Sequence, residues 1–584
     1  MKKYFVDKKK RQRVPLEFNG IQINCCKNPF CENFGKPALT TPVTKGRPKA
    51  GSKRIVDSYT IKGAGRKAPV LFCNKCRKST TIKSNQAISE ELDRIRPVFP
   101  IKGCPTNGCA NANNHVEFSG CYQKIGKTSS GYQRYKCKLC KKTFSFGKTI
   151  RRQKKSYKNK EIFLDLVNQN CFRGMRVLND LPSLTLSRKI DFIHSQCLKF
   201  SAAREARLPN MPFKKIEIST DRQDYIVNWN NRHRKKNTVF QGICSADNES
   251  NYVFAANVNF DPSLVLSDIT AAANEAGDCD VTAPFKRYAR LWTENDYQER
   301  IQYKEPEIGE TDETQNVLHQ LTIKHKSEDP EIVEVLTASA QLPINGVQVH
   351  AEYTMHAHFF YLKEMLGHAG NITFYLDDDS GINAAFTAAF IDEIASNKAD
   401  GFFVKFRKGQ TRSVRENYIN ENRSKYKKFI QAHGLKDDFK ASLLMAKYNM
   451  TVIDPENNEW EHPVGTAGEP YKTVIHLFPD HSNMSDELAV KYLQANMRGV
   501  DRFFLNVRNK LSPLVRGIDT ASHSNGKWHG KCPYNPQVVQ KYLDIYRTYY
   551  NYVPKLDKKT TPAMRIGLAK GPVTIEDILY FNKV

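Results

Sequence analysis

From about residue 210 the chain alternates between apolar and polar positions in short runs, and the runs are separated by helical patterns. KKIEIST (214–220) has the two-residue period of a half-buried strand and runs into Asp221. TVFQGICSAD (238–247) and NYVFAANVNFD (251–261) predict a hairpin around Asn248-Glu249-Ser250. A helix is expected near 264–276 and a long one over 347–368. The apolar strand NITFYL (371–376) then ends in Asp377-Asp378-Asp379. A helix over 382–396, a strand over 401–406 and one long helix over 485–511, capped by Ser485, complete this region. A tyrosine-rich helix is expected over 534–553. The acidic stretch 300–330 and the mixed stretch 410–485 read as insertions.

Residues 160–200 have the 3.6-residue period instead. Ile162, Phe163, Leu166 and Val167 share one helical face, FRGMRVLND (172–180) makes a second helix, and Ser183 is expected to cap a third. This is a helix-turn-helix pattern, with Thr185, Ser187, Arg188 and Lys189 at the start of the helix that would read bases. Trihelical packing without DNA contact is the plain alternative.

The first quarter follows neither period; its order is set by cysteines. Cys26 and Cys31 (C-x4-C) are followed by Cys73 and Cys76 (C-x2-C), and Cys104, Cys109, Cys137 and Cys140 repeat both spacings. Two knuckles supply four thiolates at the corners of a tetrahedron, so the pattern predicts two structural Zn²⁺ ions in tandem zinc ribbons. Cys25 competes with Cys26 as ligand. His523, His529 and Cys532 hint at a third site only faintly. His356 and His358 read as bonded core residues rather than ligands.

Charge separates the same quarter from the rest. Residues 1–160 carry 38 Lys and Arg against 8 Asp and Glu, and the remainder carries 52 against 53. The whole excess of +29 therefore sits among the cysteines, as in a chain that binds a phosphate backbone. Lys45, Arg47 and Lys49 in TKGRPKAGSKR resemble an AT-hook, with a flexible basic loop as the equal alternative. Arg151 and Arg152 open a basic link to the helices, and Arg232 to Lys236 form a basic loop beside the first strand. No apolar leader and no run of 18 apolar residues occurs, so no membrane partner is expected.

Three strands, then helix–strand–helix–strand and a late helix, is the order of a ribonuclease H-like fold. The fold class expected is therefore multidomain α/β. Two zinc ribbons (26–90 and 101–150) and a helix-turn-helix (151–205) follow a basic arm (1–25). A ribonuclease H-like catalytic domain, a mixed sheet with helices and insertions, spans 210–510, and a helical tail spans 511–584. In that fold carboxylates hold two divalent cations, hard ions that prefer oxygen ligands. Asp221 and Asp377 fit the first two positions, with Asp379 as rival to Asp377. Asp501 fits the third, seven residues before Arg508 and on the same helical face. Single aspartates after strands often only cap the next helix; the ordered set is what carries weight.

ISTDRQDY, FYLDDDSG and above all VDRFFLNVRNKL give the chain a resemblance to bacterial insertion-sequence transposases of the DDE class. The last segment is similar to their E-R-x-x-L-x-x-R helix, with Arg502, Leu505 and Arg508 in place and Asp501 where glutamate is usual; Glu487 is the fallback acid. The YN segment at 534 and TPAMRIGL (561–568) resemble their C-terminal tail. The resemblance implies metal-dependent cleavage and strand transfer through a D-D-D triad. It also implies Mg²⁺ (or Mn²⁺) at the triad, double-stranded DNA at transposon ends and target, and a homodimer or higher oligomer. The setting implied is the bacterial cytoplasm, at the nucleoid. A non-catalytic DNA-binding regulator and a nuclease of the same fold that does not join DNA are the alternatives.

Overall fold

The computed structural model describes residues 12–44, 55–63, 69–97, 103–114, 116, 120–129, 131–146, 153–228, 237–302, 341–406, 411–451, 459–462, 472–478, 485–515 and 531–581. Lys45, Arg47, Lys49, Arg151, Arg152, the loop 232–236, most of the acidic stretch, His523 and His529 lie outside the described residues. The chain divides into two compact units: Met1–Ile95 with Pro212–Leu505 and Arg516–Gln537, and Arg96–Met211 with Asn506–Val515 and Val538–Val584.

Each cysteine segment builds the same three-stranded antiparallel sheet. In the first unit it is β1 (Tyr59–Lys62), β2 (Val70–Cys73) and β3 (Ser79–Thr81), followed by helix α1 (Asn85–Ile95). In the second unit it is β4 (Tyr122–Lys127), β5 (Gln133–Cys137) and β6 (Thr143–Ser145). The registers coincide: Tyr59 pairs with Cys73 as Tyr122 pairs with Cys137. Within residues 12–25, Val14, Ile21 and Ile23 are buried.

The first unit is built on a seven-stranded mixed sheet in the order β14-β15-β13-β12-β7-β8-β9. Strands β7 (Lys215–Val227), β8 (Thr238–Asp247) and β9 (Val253–Val258) form an antiparallel meander with its second turn at 248–250, as the alternation predicts. Strand β12 (Asn371–Asp377) runs parallel to β7, and β13 (Ala399–Phe406) runs parallel to β12. The edge is β15 (Lys472–His476) and β14 (Glu459–Glu461), both antiparallel, so the stretch 410–485 extends the sheet and is not only an insertion. A separate two-stranded ladder joins β10 (Phe260–Asp261) and β11 (Val347–Gln348). The helices of this unit are α5 (Leu266–Ala276), α6 (Glu294–Gln302), α7 (Ala351–Leu366), α8 (Ser380–Ala389) and α9 (Ile391–Ala395). They continue with α10 (Arg412–Ala432), α11 (Asp438–Thr451), α12 (Asp486–Gln494) and the start of α13 (Arg498–Lys510).

Alternation assigns the two sheet faces. Phe374 points to α7 and α8, where Phe359, Phe386 and Phe390 surround it with ring centroids 4.6–5.8 Å away. On the same side the Thr220 and Ser245 hydroxyls bond at 2.6 Å, and Ser245 meets His358 Nε2 at 2.8 Å. The opposite face carries Ser219, Tyr375 and Phe402. The Tyr375 hydroxyl donates to the Lys491 carbonyl of α12 (3.0 Å), and Phe402 stacks on His476.

Two boundaries differ from the expectation. Strand β7 does not stop at Asp221; its ladder with β8 continues to Val227 opposite Thr238. The long helix expected over 485–511 is two helices, broken at Ala495, whose ψ of 111° is extended. The break is held by tertiary contacts. Asn248 in the β8–β9 turn donates to the Asn496 carbonyl (2.9 Å) and accepts from Gly499 N (3.0 Å). The early amides of α13 are thus satisfied from outside the helix, which makes a fresh start cheap.

In the second unit α2 (Asn159–Leu166), α3 (Phe172–Leu178) and α4 (Ser183–Glu205) form the expected three helices. The C-terminal segment packs with them through α14 (Gln537–Tyr552), α15 (Pro562–Arg565) and α16 (Ile575–Leu579). A buried ion pair, Arg547 to Glu205 at 2.6 Å, and a Ser201–Thr548 hydrogen bond of 2.9 Å tie α14 to α4. Ser183 is the first residue of α4 and not its cap; Pro182 stands at that position.

Candidate metal centres and carboxylate site

The eight predicted cysteines form two sets, Cys26, Cys31, Cys73, Cys76 and Cys104, Cys109, Cys137, Cys140, each with its sulfurs within 4.8 Å of one another. Cys26 and Cys76 lie 3.5 Å apart, Cys31 and Cys73 3.7 Å, Cys104 and Cys140 3.3 Å, and Cys109 and Cys137 3.9 Å. Each C-x2-C closes the same turn: Arg77 (φ 59°) and Lys141 (φ 63°) are left-handed, and their amides return to the Cys73 and Cys137 carbonyls at 3.0 Å. Cys25 is outside the set. Its thiol faces the Ile23 carbonyl at 3.7 Å, whereas the Cys26 sulfur lies with those of Cys31, Cys73 and Cys76, so Cys26 is the ligand position.

Donors around the sulfurs fit a thiolate-bound cation. The Asn33 side-chain amide donates to Cys73 Sγ (3.3 Å), and the Asn111 amide donates to Cys137 Sγ (3.4 Å). Burial raises the Cys73 thiol, but the amides of Asn33, Cys76 and Lys75 outweigh it and hold it down at about 7. The Thr106 hydroxyl and the Lys142 amide bring Cys140 to about 6. Tyr59 and Tyr122 lock the first knuckles, accepting from the amides of Cys26 (3.0 Å) and Cys104 (2.8 Å). Four thiols with N–H donors aimed at them suit Zn²⁺, and both groups can hold one. These two asparagines and two tyrosines recur at matching places in the two cysteine segments, a signal that the cysteine pattern overshadowed.

The carboxylates gather at one end of the parallel strands. The last β7–β12 register pair is Thr220 with Leu376, and Asp221 and Asp377 are the next residues on these two adjoining strands. Both share the face of Ser219 and Tyr375 by alternation, and both are half-buried. Helix α13 starts on that face: Val500 N donates to Ser219 Oγ at 3.0 Å, and the following residue, Asp501, is exposed in the same first turn. Gly499 permits the approach, because a Cβ there would stand 3.0 Å from Ser219 Oγ, the Asp247 carbonyl and Asn248 Oδ1. The three carboxylates do not all lie within 4.8 Å of one another as the thiols do. That closeness serves a single tetrahedral ion; two cations about 3.5–4 Å apart spread their ligands further.

The rivals have other work. Asp379 caps α8, accepting from Gly381 N (2.8 Å) and Ile382 N (3.1 Å), and it pairs with Arg222. Asp378 pairs with Lys405 at 3.1 Å. Glu487 lies in the first turn of α12, beside Asp486, which pairs with Lys447 of α11. Lys491, one turn further on, bonds Asp400 at the opposite end of β13. Helix α12 therefore does not carry Glu487 to the carboxylate end.

At the start of α4, Arg188 is exposed and Thr185 and Ser187 are half-exposed. Lys189 is a correction: it is buried, its ammonium donating to Asn159 Oδ1 (2.7 Å) and the Lys155 carbonyl (2.9 Å). It ties α4 to the head of α2 and does not face a groove. Arg508 is half-buried on the part of α13 that belongs to the second unit. Of the histidines, His358 is fully buried between Ser245 and Asn257, as expected of a bonded core residue. Among the described residues no helix is long and apolar enough to cross a membrane. No protein-family model and no curated protein sequence matches the chain.

Proposed function

We propose that the chain is a DNA transposase of the DDE class, working through a D-D-D triad of Asp221, Asp377 and Asp501. The observation that carries this reading is that Asp221 and Asp377 follow the last register pair of two adjoining parallel strands, with the docked start of α13 on the same face. The strand order supports it: an antiparallel meander followed by two parallel strands added at its first strand is the ribonuclease H-like arrangement. Asp221, Asp377 and Asp501 would hold Mg²⁺ (or Mn²⁺), which activates the attacking hydroxyl and steadies the leaving oxygen in an in-line displacement. The protein's own part is to fix the strand ends. Arg222 and Lys405 engage Asp379 and Asp378, and Asp377 is the member of the run on the face of Asp221.

In this reading the ribbons and the helix-turn-helix hold transposon ends. Water cuts a strand, the released 3′-hydroxyl attacks target DNA, and a homodimer or larger assembly brings two ends together. The test is strand transfer from the end duplexes of the encoding element into a supercoiled plasmid, with Mg²⁺ or Mn²⁺, beside an Asp377→Ala variant. Joined products from the wild type alone support the transposase. Cleavage without joining indicates a nuclease, and binding without either product indicates a regulator.

A further inference from the structure

The two ribbons share a backbone and differ in surroundings. The first is built into the seven-stranded unit. Ile21, Ile23, Ile88 and Leu92 share one apolar cluster with Leu291 and Tyr353. Glu91, its side chain wholly buried, bonds Arg94 (2.6 Å), Arg290 (3.1 Å) and Thr354 (2.7 Å). Arg94 also donates to the Val258 and Phe260 carbonyls, and the buried Lys83 pairs with Glu352 at 2.9 Å. A buried charge with this many partners is costly to break.

Among the described residues the apolar cluster around each cysteine set draws on its own ribbon, the second including Tyr122, Tyr135, Phe144 and Phe146; it is the lead-in at Ile21 and Ile23 and helix α1 that tie the first into its unit. Residues 103–146 contain seven Lys and Arg and one acid, Glu117, and residues 26–90 contain 14 and three, so total charge does not separate the ribbons; its placement on the strands does. The central strands make the contrast sharpest. With Cys73 and Cys137 at matching register, Val70 and Phe72 of β2 occupy the places of Arg134 and Lys136 of β5. Val70 and Phe72 are half-buried, and Lys62 lies over the Phe72 ring at 3.5 Å. Arg134 and Lys136 are both exposed on one side of their strand. Arg77 and Lys78 are exposed at the first knuckle as Lys141 and Lys142 are at the second, so knuckle charge does not separate the two.

We infer that the duplicated ribbons have divided their labour. The second grips the phosphates of duplex DNA through the Arg134 and Lys136 face of β5, and the first braces the unit that carries the carboxylates. A positive face with almost no acid beside it fits a polyanion, and duplex DNA is the polyanion because this inference rests on the transposase reading.

The test uses the full zinc-loaded chain and a random-sequence duplex, so that neither catalysis nor the correct end sequence is needed. Binding is followed by fluorescence anisotropy across a salt series, beside thermal unfolding and zinc content. The double variant Arg134→Gln/Lys136→Gln should keep its zinc and its unfolding temperature. Its log–log salt slope should become shallower by about 1.8, at roughly 0.9 for each phosphate that the variant no longer neutralises. Glu91→Gln should lower the unfolding temperature and leave the slope unchanged. An unchanged slope in the double variant, with ordinary wild-type affinity, overturns this inference and leaves the transposase reading standing. A shallower slope in Glu91→Gln at unchanged stability also overturns it. A wild-type chain with no salt-dependent affinity for duplex sinks both.

Discussion

The guanidinium of Arg222 bonds the carboxylate of Asp379, so the residue after the first acid of the proposed triad is tied to the helix cap that follows the second. The pair bridges β7 and the start of α8, next to the strand positions of Asp221 and Asp377. It also separates two aspartates that sequence alone leaves as rivals. Asp379→Ala should lose the cap and the ion pair and cost about 1–2 kcal/mol in stability. Asp377→Ala should cost less stability than Asp379→Ala, since Asp379 is the residue that caps α8. It should lower strand transfer at least about 100-fold, the least expected when a group acting on transition-state charge is removed. Unfolding curves and strand-transfer yields measured on both variants check the assignment. Equal activity losses with equal destabilisation would leave Asp377 without its special place.

Gly499 should be as sensitive as an acid although it carries no chemistry. Gly499→Ala puts a methyl 3.0 Å from Ser219 Oγ, the Asp247 carbonyl and Asn248 Oδ1, two of which are fixed by the sheet and its turn. The first turn of α13 must lift, at an overpacking cost of about 1–3 kcal/mol. Asp501 lifts with it. The expected outcome is a fall in strand transfer larger than the fall in duplex affinity, read from activity and anisotropy on the same preparation. Asn248→Ala removes an acceptor from Gly499 and a donor to Asn496, and should reproduce the effect in part.

How much of this was legible depends on how local the cause is. The β7–β8 turn lies outside the described residues, but the β8–β9 hairpin, β12 and the three helices of 159–205 follow from short-range periodicity and were readable. Cysteine spacing marked both metal groups, because a tetrahedral ion forces its ligands into a fixed pattern. The break at Ala495 was not readable, since it depends on Asn248, almost 250 positions away in the chain. The burial of Lys189 was hidden for the same reason: a lysine at the head of a helix looks free until Asn159 and the Lys155 carbonyl are placed against it. Helix α1 was missed although Ser84 caps it, accepting from Ala87 N at 3.2 Å, and Ala87, Ile88 and Leu92 mark its buried face.

Zinc should be countable one site at a time. Wild-type chain should carry two equivalents by atomic absorption, one for each cysteine set. Cys26→Ser and Cys137→Ser should each lose one, and Cys25→Ser should lose none, since Cys25 stands apart from the sulfurs. A strong chelator should strip both and abolish DNA binding, because a structural zinc supplies roughly 10–16 kcal/mol of apparent binding free energy to its fold. Loss of an equivalent in Cys25→Ser alone would exchange the two neighbouring ligands.

Acid should weaken the first unit through His358 before it reaches the carboxylates. Burial holds this imidazole at about 3 against an ordinary 6.5, and its two nitrogens are taken by Ser245 and Asn257 inside the layer between α7 and the sheet. The unfolded chain takes up the proton below 6.5, whereas the folded chain resists it until about 3. The contribution is therefore complete above pH 6.5 and is lost progressively as pH falls from 6.5 towards 3, by up to about 1.4 kcal/mol per unit. His358→Gln keeps hydrogen-bonding atoms in the layer and removes the titration. It should lower stability at neutral pH and flatten the decline between pH 6.5 and 4 in a series of unfolding curves. A variant whose stability falls as steeply as the wild type over that window would place the acid sensitivity elsewhere.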